Sequence, residues 1–294
     1  MSPSGPRPLF LDGPAGPVFA IYHPPDPQAP HDAGDIVYVP PFAEEMNQSR
    51  RMAALQARHL AAAGTGVLLL DLFGTGDSGG DFATARWETW LGDIAAAMDW
   101  ITAAGRPLAG LWGLRLGAAL ALEAARTRAG GVPRLLLWQP VTRGRTFLTQ
   151  FLRLRIAAAL GGEEDGANRE STESLRRRLA AGEAIEVAGY SLAPALAAAI
   201  EALDLSALVP PPGTRVGWIE IGAGAGAEPA QAAPSPAAAR VIAAWQETRP
   251  EDHAPVAVRA VPGEPFWAIQ SWLEPVLVPA LWPVSVDLWQ ELGS

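Results

Sequence analysis

Arg115 lies at a position where the spacing of residue types predicts a chemically active side chain. Residues 113–117 read Gly-Leu-Arg-Leu-Gly, between an apolar run and an alanine-rich segment with helical spacing. A strand that enters a helix through the pattern G-x-X-x-G is the frame of a nucleophile elbow, because small residues on both sides allow the sharp turn that exposes X. Here X is arginine, which is permanently charged, carries only hydrogen-bond donors and cannot attack a carbonyl carbon. The pattern therefore predicts a cation where such a turn normally presents a nucleophile.

The amino-acid inventory removes several other kinds of chemistry. The 294 residues include no cysteine, and all 22 basic residues are arginine. The chain therefore has no thiol nucleophile, no thiolate metal site, no Schiff-base lysine and no P-loop lysine. No two histidines are spaced four residues apart and no G-x-G-x-x-G pattern follows a strand, so no metal and no organic cofactor is predicted.

The charge and the apolar stretches of the chain indicate which partners and which location to expect. With a net charge of -9, and with acidic residues near the arginine clusters at 50–51 and 176–178, nucleic-acid binding is not expected. No apolar stretch reaches the roughly twenty uninterrupted residues of a spanning helix, so we expect no membrane span. The first thirty residues lack a basic region followed by an apolar run, so we expect no secretory signal and a cytoplasmic protein.

The elements that must position Arg115 alternate between strand and helix. Short apolar, β-branched runs bounded by turn residues are separated by longer segments with helical spacing, which is typical of βαβ units. We expect an α/β fold with a mostly parallel sheet flanked by helices. The predicted strands are 18–22, 36–39, 66–70, 107–112, 135–138, 215–221 and 256–261, with 9–11 completing an edge hairpin. The predicted helices are 49–63, 86–104, 116–128 and 237–247, with another within 266–289.

The alternation stops between residues 141 and 212. Two or three helical stretches without a convincing strand fill this segment, around a polar piece at 161–174. Such an insertion predicts a helical cap over the carboxyl edge of the sheet, where open α/β sheets bind ligands. We therefore expect a core of residues 1–140 and 213–294 and a cap of residues 141–212. Residues 222–236, rich in glycine, alanine and proline, are expected to form a flexible loop.

Four sequence blocks resemble a known family. They read PPFAEEMNQSRRM at 40–52, DLFGTGDSGGDF at 71–82, LWGLRLGAAL at 111–120 and PGEPFW at 262–267. With the strand-ending loop VYVPPF at 37–42, they resemble the α/β-hydrolase superfamily and, within it, the exosortase A system-associated hydrolase 2 family. This resemblance spans most of the chain. It implies an α/β-hydrolase fold, similarity to ester and thioester hydrolases, and encoding near bacterial exopolysaccharide and protein-sorting functions, without naming a substrate.

The serine, acid and histidine of the superfamily are all missing from their expected places. Arg115 stands at the serine position. No carboxylate occurs in residues 222–227, where the acid usually follows its strand, or in 139–141, the common substitute, and residues 262–267 hold no histidine. We therefore expect serine-histidine acyl transfer to be absent. The four histidines lie elsewhere and are expected to be structural or solvated: His23, His31, His59 and His253.

An acidic partner is expected for Arg115, because an unpaired cation removed from water is costly. Glu44 and Glu45 are the nearest candidates, since the loop after the strand 36–39 opens on the same sheet edge as the elbow. We expect one of them to pair with Arg115 and to have its pKa lowered by the cation. Three interpretations of the pair remain: internal scaffolding, an anion receptor in which a ligand carboxylate or phosphate competes for Arg115, and residual hydrolysis with a glutamate as general base.

Two functions therefore stay open. The first is a degenerate hydrolase that binds an anionic or acyl-bearing small molecule, or a protein partner of the same export or polysaccharide pathway. The alternative is an active ester or thioester hydrolase, or an acyltransferase, that uses Arg115 with Glu44 or Glu45 and backbone amides around Phe42 and Leu116. The residues expected to surround the ligand are Phe42, Leu114, Leu116, Gln139, Phe266 and Trp267.

Overall fold

A mostly parallel sheet forms the centre of the computed structural model, which describes residues 5–159, 170–222, 233–248, 255–268 and 276–294. In chain order the strands are β1 (Arg7–Gly13), β2 (Gly16–His23), β3 (Asp35–Val39), β4 (Gly66–Leu70), β5 (Leu108–Leu114), β6 (Arg134–Trp138), β7 (Ile185–Val187), β8 (Tyr190–Leu192), β9 (Arg215–Gly222) and β10 (Ala257–Pro262). Eight of them form one sheet in the order β1-β2-β4-β3-β5-β6-β9-β10, while β7 and β8 form a separate hairpin.

The pairing directions follow from the residue pattern of each strand. β3, β4, β5 and β6 are apolar runs buried on both faces, which is typical of central parallel strands. β1 and β2 pair antiparallel, β2 is antiparallel to β4, and all other neighbours in the eight-stranded sheet are parallel. The predicted parallel sheet with an edge hairpin is therefore confirmed.

Helices cover both faces of the sheet. They are α1 (Glu44–Ala62), α2 (Trp87–Ala103), α3 (Leu116–Thr127), α4 (Gly144–Ala159), α5 (Thr172–Ala180), α6 (Pro194–Ala202), α7 (Pro236–Thr248) and α8 (Leu281–Glu291). Apolar side chains of α1 and α8 belong to one buried cluster, and those of α2, α3 and α7 belong to the other. No helix within the described ranges is long and apolar enough to cross a membrane.

The segment between β6 and β9 contains α4, α5, the β7–β8 hairpin and α6. The expectation that this segment has no strand was wrong. Ala188 and Gly189 form a two-residue turn with φ of 50° and 84°, which suits the twist of a tight hairpin, and the flanking residues pair as Val187 with Tyr190. Residues 160–169 and 223–232, which hold most of the predicted polar piece and flexible loop, lie outside the described residues.

The first helix begins earlier than predicted. Glu44 and Glu45 were expected in a loop before a helix at 49–63, but they form the first turn of α1. Acidic side chains are favoured there because the unpaired N–H groups of a helix N-terminus attract negative charge. Both carboxylates therefore start from a rigid element at the carboxyl end of β3.

Candidate functional site

Arg115 lies at a sharp turn between β5 and α3. Its backbone has φ of 55° and ψ of -119°, a combination that residues other than glycine rarely adopt and that surrounding structure must enforce. Arg115 N donates to Trp138 O at 3.0 Å, and Arg115 O accepts from Ala118 N at 3.2 Å. These bonds tie the turn to the neighbouring strand and to the first turn of α3, which gives it the expected elbow geometry.

The two glycines of the elbow are required by close packing. A Cβ atom on Gly117 would lie 2.3 Å from Pro40 O and 2.4 Å from Val39 O, and one on Gly113 would lie 2.5 Å from the Cα of Ala118. Either contact would push α3 away from the strands that it crosses. The G-x-X-x-G spacing is therefore a packing requirement as well as a turn signal.

A second turn of the same kind lies beside the elbow. Ala43, which precedes α1, has φ of 51° and ψ of -127°, close to the values of Arg115. It follows β3, which is the direct neighbour of β5 in the sheet. Two strand-to-helix turns thus stand side by side at one sheet edge, and they bring Glu45 and Arg115 together across 70 residues of sequence.

The predicted ion pair is formed by Glu45. Arg115 donates from Nε at 3.3 Å and from Nη2 at 3.2 Å to the same atom, Glu45 Oε1. The side chains of Arg115 and Glu45 are 16% and 21% exposed, so the pair is largely shielded from solvent. The other carboxylate oxygen, Oε2, is buried and has no hydrogen-bond partner among the described residues. Glu44 pairs instead with Asn47 and Gln48 on its own helix.

The electrostatic environment of Glu45 differs from the expectation. Burial raises the pKa of Glu45, although the charge and hydrogen bonds of Arg115 act in the opposite direction. The prediction that the pKa of the paired carboxylate would be lowered was wrong, because the loss of hydration outweighs the attraction of the cation. Glu45 is therefore easier to protonate than an ordinary glutamate.

Two aromatic rings lie within cation–π distance of the guanidinium of Arg115. Its Cζ lies 5.8 Å from the ring centroid of Phe147 on α4 and 5.2 Å from that of Trp267, which follows β10. Both distances are within the range of cation–π attraction. The cation is thus contacted by the segment between β6 and β9 and by the segment after β10, where the resemblance implied a histidine.

An apolar cavity of about 220 Å³ lies on the Glu45 side of the ion pair. Phe42 stands in its wall, with ring centroids 5.7 Å from Phe147 and 4.9 Å from Phe151. The cavity can accept a hydrocarbon chain, and one of its lining side chains, Leu154, is exposed. Its lining residues are Phe42, Glu44, Glu45, Phe147, Gln150, Phe151, Leu154, Trp267 and Ala268.

A polar cavity of about 370 Å³ lies on the Arg115 side. Phe147 and Gln150 line this cavity as well as the apolar one, so the two volumes are separated by the same stretch of α4. The lining residues are Arg115, Gln139, Pro140, Val141, Thr142, Arg143, Thr146, Phe147, Gln150, Trp218, Glu220, Ser235, Ala237 and Arg240.

The other predicted ligand-binding residues do not all line the two cavities. Gln139 lines the polar cavity, with φ of 42° and its Oε1 accepting from Ile221 N at 2.7 Å. Phe266 is buried behind Trp267, with ring centroids 5.1 Å apart. Leu114 and Leu116 are buried, and neither is among the described residues that line the two cavities.

Sequence reasoning missed the residues that α4 contributes. Phe147, Gln150, Phe151 and Leu154 follow the i, i+3, i+4, i+7 spacing of one helical face, and that spacing was the available signal. It also missed Glu220, whose two oxygens accept from Ser235 N and Oγ, each at 2.6 Å. Ser235 precedes Pro236 at the start of α7, which is the usual order of an N-cap and the first helical residue.

The histidines do not form a catalytic pair in the described parts of the chain. None of their side chains takes part in a hydrogen bond there, and His253 lies outside those parts. His59 stacks on Trp282 at 5.2 Å. His23 is buried, and burial lowers its pKa. Ser78 donates to Asp71 O and accepts from Phe19 N, so its hydroxyl stabilises a turn.

Solved structures of α/β-hydrolases share this architecture at low sequence identity. Est1E from Butyrivibrio proteoclasticus, in a structure with bound ferulic acid, has a TM-score of 0.62 at 14% identity over 97% of this chain and 98% of that one. A proline iminopeptidase-related protein from Thermus thermophilus has a TM-score of 0.58 at 16% identity over 98% of both chains. An α/β serine hydrolase without lid from Xanthomonas campestris has a TM-score of 0.51 at 16% identity over 99% of this chain and 94% of that one.

The comparisons establish the fold. No family model matches the chain, and no curated protein sequence matches it. Identities this low carry no activity from one protein to another, but the sheet, the flanking helices and the elbow confirm the predicted α/β-hydrolase fold.

Proposed function

We propose that this α/β-hydrolase-fold protein binds an anionic, acyl-bearing small molecule at Arg115 and has no serine-triad catalysis. The observation that carries the proposal is the position of the guanidinium. It belongs to the elbow residue, lies within cation–π distance of the rings of Phe147 and Trp267, and lines the polar cavity, while its partner Glu45 lines the apolar one. A hydrocarbon chain would fill the apolar cavity, and the anionic group would contact Arg115.

The ligand would compete with Glu45 for the cation. Both hydrogen bonds from Arg115 end on one oxygen at more than 3.1 Å, longer than a good charge-assisted pair, and Nη1 has no partner among the described residues. A ligand carboxylate could take both nitrogens of the fork. Glu45 would then take up a proton, and its raised pKa makes that step less costly.

The experiment compares octanoate with octanol by titration calorimetry. Octanoate should bind the intact protein, and Arg115→Gln should weaken octanoate by about tenfold while changing octanol by less than about twofold. Arg126→Gln, on the exposed side of α3, is the matched control and should bind octanoate normally. Equal affinity of octanoate for all three proteins would refute the proposal.

A second candidate function is supported by Glu45. A raised pKa and a free buried oxygen are properties of a general base, so hydrolysis of an ester or thioester by an activated water is the alternative. Wild-type protein and Arg115→Ser should both leave p-nitrophenyl octanoate and octanoyl thioesters unhydrolysed above background. Turnover by the wild type that disappears in Glu45→Gln would replace the first proposal with the second.

The cellular setting remains part of the proposal. Sequence features alone support three further parts of the proposal: membership of the exosortase A system-associated hydrolase 2 family, a protein partner of the same export or polysaccharide pathway, and a cytoplasmic location. Sequence features also support the division into a core of residues 1–140 and 213–294 and a cap of residues 141–212. Purification of the tagged chain from its native cells, followed by identification of bound proteins, tests the partner; recovery without one would contradict it.

A further inference from the structure

Three side chains that line the polar cavity beside Arg115 carry hydrogen-bond donors without a described acceptor. Trp218 lines it from β9 with 1% of its surface exposed, and its indole N–H has no partner among the described residues. Arg240 lines it from α7 and pairs with no carboxylate in the described parts of the chain. The amide nitrogen of Gln139 likewise has no described acceptor, because only Oε1 is used. Of these donors only the indole N–H of Trp218 is fully buried, since Gln139 is half-buried and Arg240 is exposed. A buried donor without a partner is uncommon in a folded protein and indicates a place for a missing acceptor.

The acidic groups of the cavity are already compensated. Both oxygens of Glu220 accept hydrogen bonds from Ser235, at the N-terminus of α7, where the helix favours negative charge. Arg143 is paired with Asp204, and Arg115 with Glu45. The donors of Trp218, Gln139 and Arg240 therefore lack acceptors, which a ligand group with several acceptor atoms could supply.

We propose that this cavity binds a phosphate group, so that the ligand is an acyl chain joined to a phosphorylated polar end; the inference rests on the proposed function. A phosphate offers at least three acceptor oxygens, whereas a carboxylate offers two, and one arginine fork can engage both of them. The donors belong to residues at the elbow, at the end of β6, on β9 and on α7. A phosphate has enough acceptor oxygens to bond to donors from that many directions. Phe147 and Gln150 line both cavities, which places the phosphate within reach of the same ligand whose chain fills the apolar side.

The test measures the affinities of octyl phosphate, octanoate and octanol by calorimetry. Octyl phosphate should bind at least about tenfold more tightly than octanoate. Trp218→Phe and Arg240→Gln should each weaken octyl phosphate by about five- to tenfold and octanoate by less than about twofold. Trp218→Phe breaks no described hydrogen bond, since the indole N–H has no partner among the described residues.

Trp112→Phe is the matched control. Trp112 is also buried with an unpartnered indole N–H, but it is not among the residues that line either cavity. This variant should bind octyl phosphate like the wild type, so a general effect of losing a buried tryptophan is separated from a local one. Octyl phosphate that binds no better than octanoate, or equally to all variants, overturns the phosphate site. If octanoate binding still depends on Arg115, the proposed function survives that result; if no ligand binds, both proposals fail.

Discussion

Arg115 contacts only one of the two carboxylate oxygens of Glu45, and the other is buried without a described partner. A fork-to-fork pair would have satisfied both oxygens and strengthened the interaction. In spite of the pair, burial raises the pKa of Glu45 above its ordinary value. The cation and the carboxylate are therefore coupled, and several measurements can detect that coupling.

Removing the cation should destabilise the protein in a pH-dependent way. Arg115→Met leaves Glu45 without its counter-charge and raises its pKa further. The free energy of unfolding should fall by about 1–3 kcal/mol at pH 8, and the loss should shrink as pH falls and Glu45 becomes protonated. Urea denaturation at pH 5 and pH 8 measures this. The double variant Arg115→Met/Glu45→Gln should recover most of the loss at pH 8, and an equal loss at both pH values would contradict the coupling.

Ligand binding at Arg115 should be accompanied by proton uptake. A bound carboxylate takes the guanidinium from Glu45, which removes the one attraction that lowers the pKa of Glu45. Octanoate should therefore bind more tightly at pH 6 than at pH 8. Calorimetry in two buffers of different ionisation enthalpy counts the protons. Glu45→Gln should bind octanoate with neither proton uptake nor this pH dependence; proton uptake that persists in the variant would assign it to another group.

Asp93 should make the protein less stable as pH rises. This fully buried carboxyl accepts from Phe73 N at 2.8 Å through Oδ2, Oδ1 has no described partner, and burial raises the pKa to about 6. Because the folded-state pKa is above the ordinary value of 3.8, its stabilising effect is complete below about pH 4 and is lost as pH rises through 6.

Asp93→Asn should remove that pH dependence. The asparagine can still accept from Phe73 N without carrying a charge, so the variant should gain about 2–3 kcal/mol over the wild type at pH 7 and little at pH 4. Thermal and urea unfolding across this range provide the measurement. Asp99→Asn, at an exposed position of the same helix, is the control and should follow the wild-type profile. A constant difference between Asp93→Asn and the wild type would show that the charge of Asp93 is not the cause.

Gly117 should tolerate no side chain. An added Cβ would lie 2.3 Å from Pro40 O, and neither the strand end nor α3 can move without disturbing the elbow. Gly117→Ala should therefore lower the free energy of unfolding by about 3 kcal/mol or more, measured by urea denaturation. Gly222→Ala is the control, since a Cβ there meets no atom within 4 Å. Comparable stability of the two variants would show that the close approach at Gly117 is easily relieved.

The sequence predicted the features that depend on local pattern. The central strands were predictable because they are continuous apolar runs between turn residues, as in Leu108–Leu114. The elbow was predictable because Gly113 and Gly117 are spaced to allow close contact of strand and helix. The pairing of Arg115 with a neighbouring glutamate followed from the adjacency of two parallel strands.

The features that sequence reasoning missed depend on contacts between distant segments. The direction of the pKa shift of Glu45 is set by burial, and its cavity includes Phe147 and Phe151, more than one hundred residues away. The hairpin of residues 185–192 was overlooked because each strand has only three residues, although Ala188 and Gly189 gave a turn signal. Glu220 was overlooked because the acid was sought after β9 rather than within it.

Helix α4 lines both cavities with the side chains of Phe147 and Gln150. Because α4 separates the two cavities, a displacement of this helix toward one of them would narrow that cavity and widen the other. Selection for a ligand with a longer acyl chain and selection for a ligand with a bulkier polar end would act on the same few side chains. A single helix would thereby set both dimensions of the molecule that the protein can accommodate.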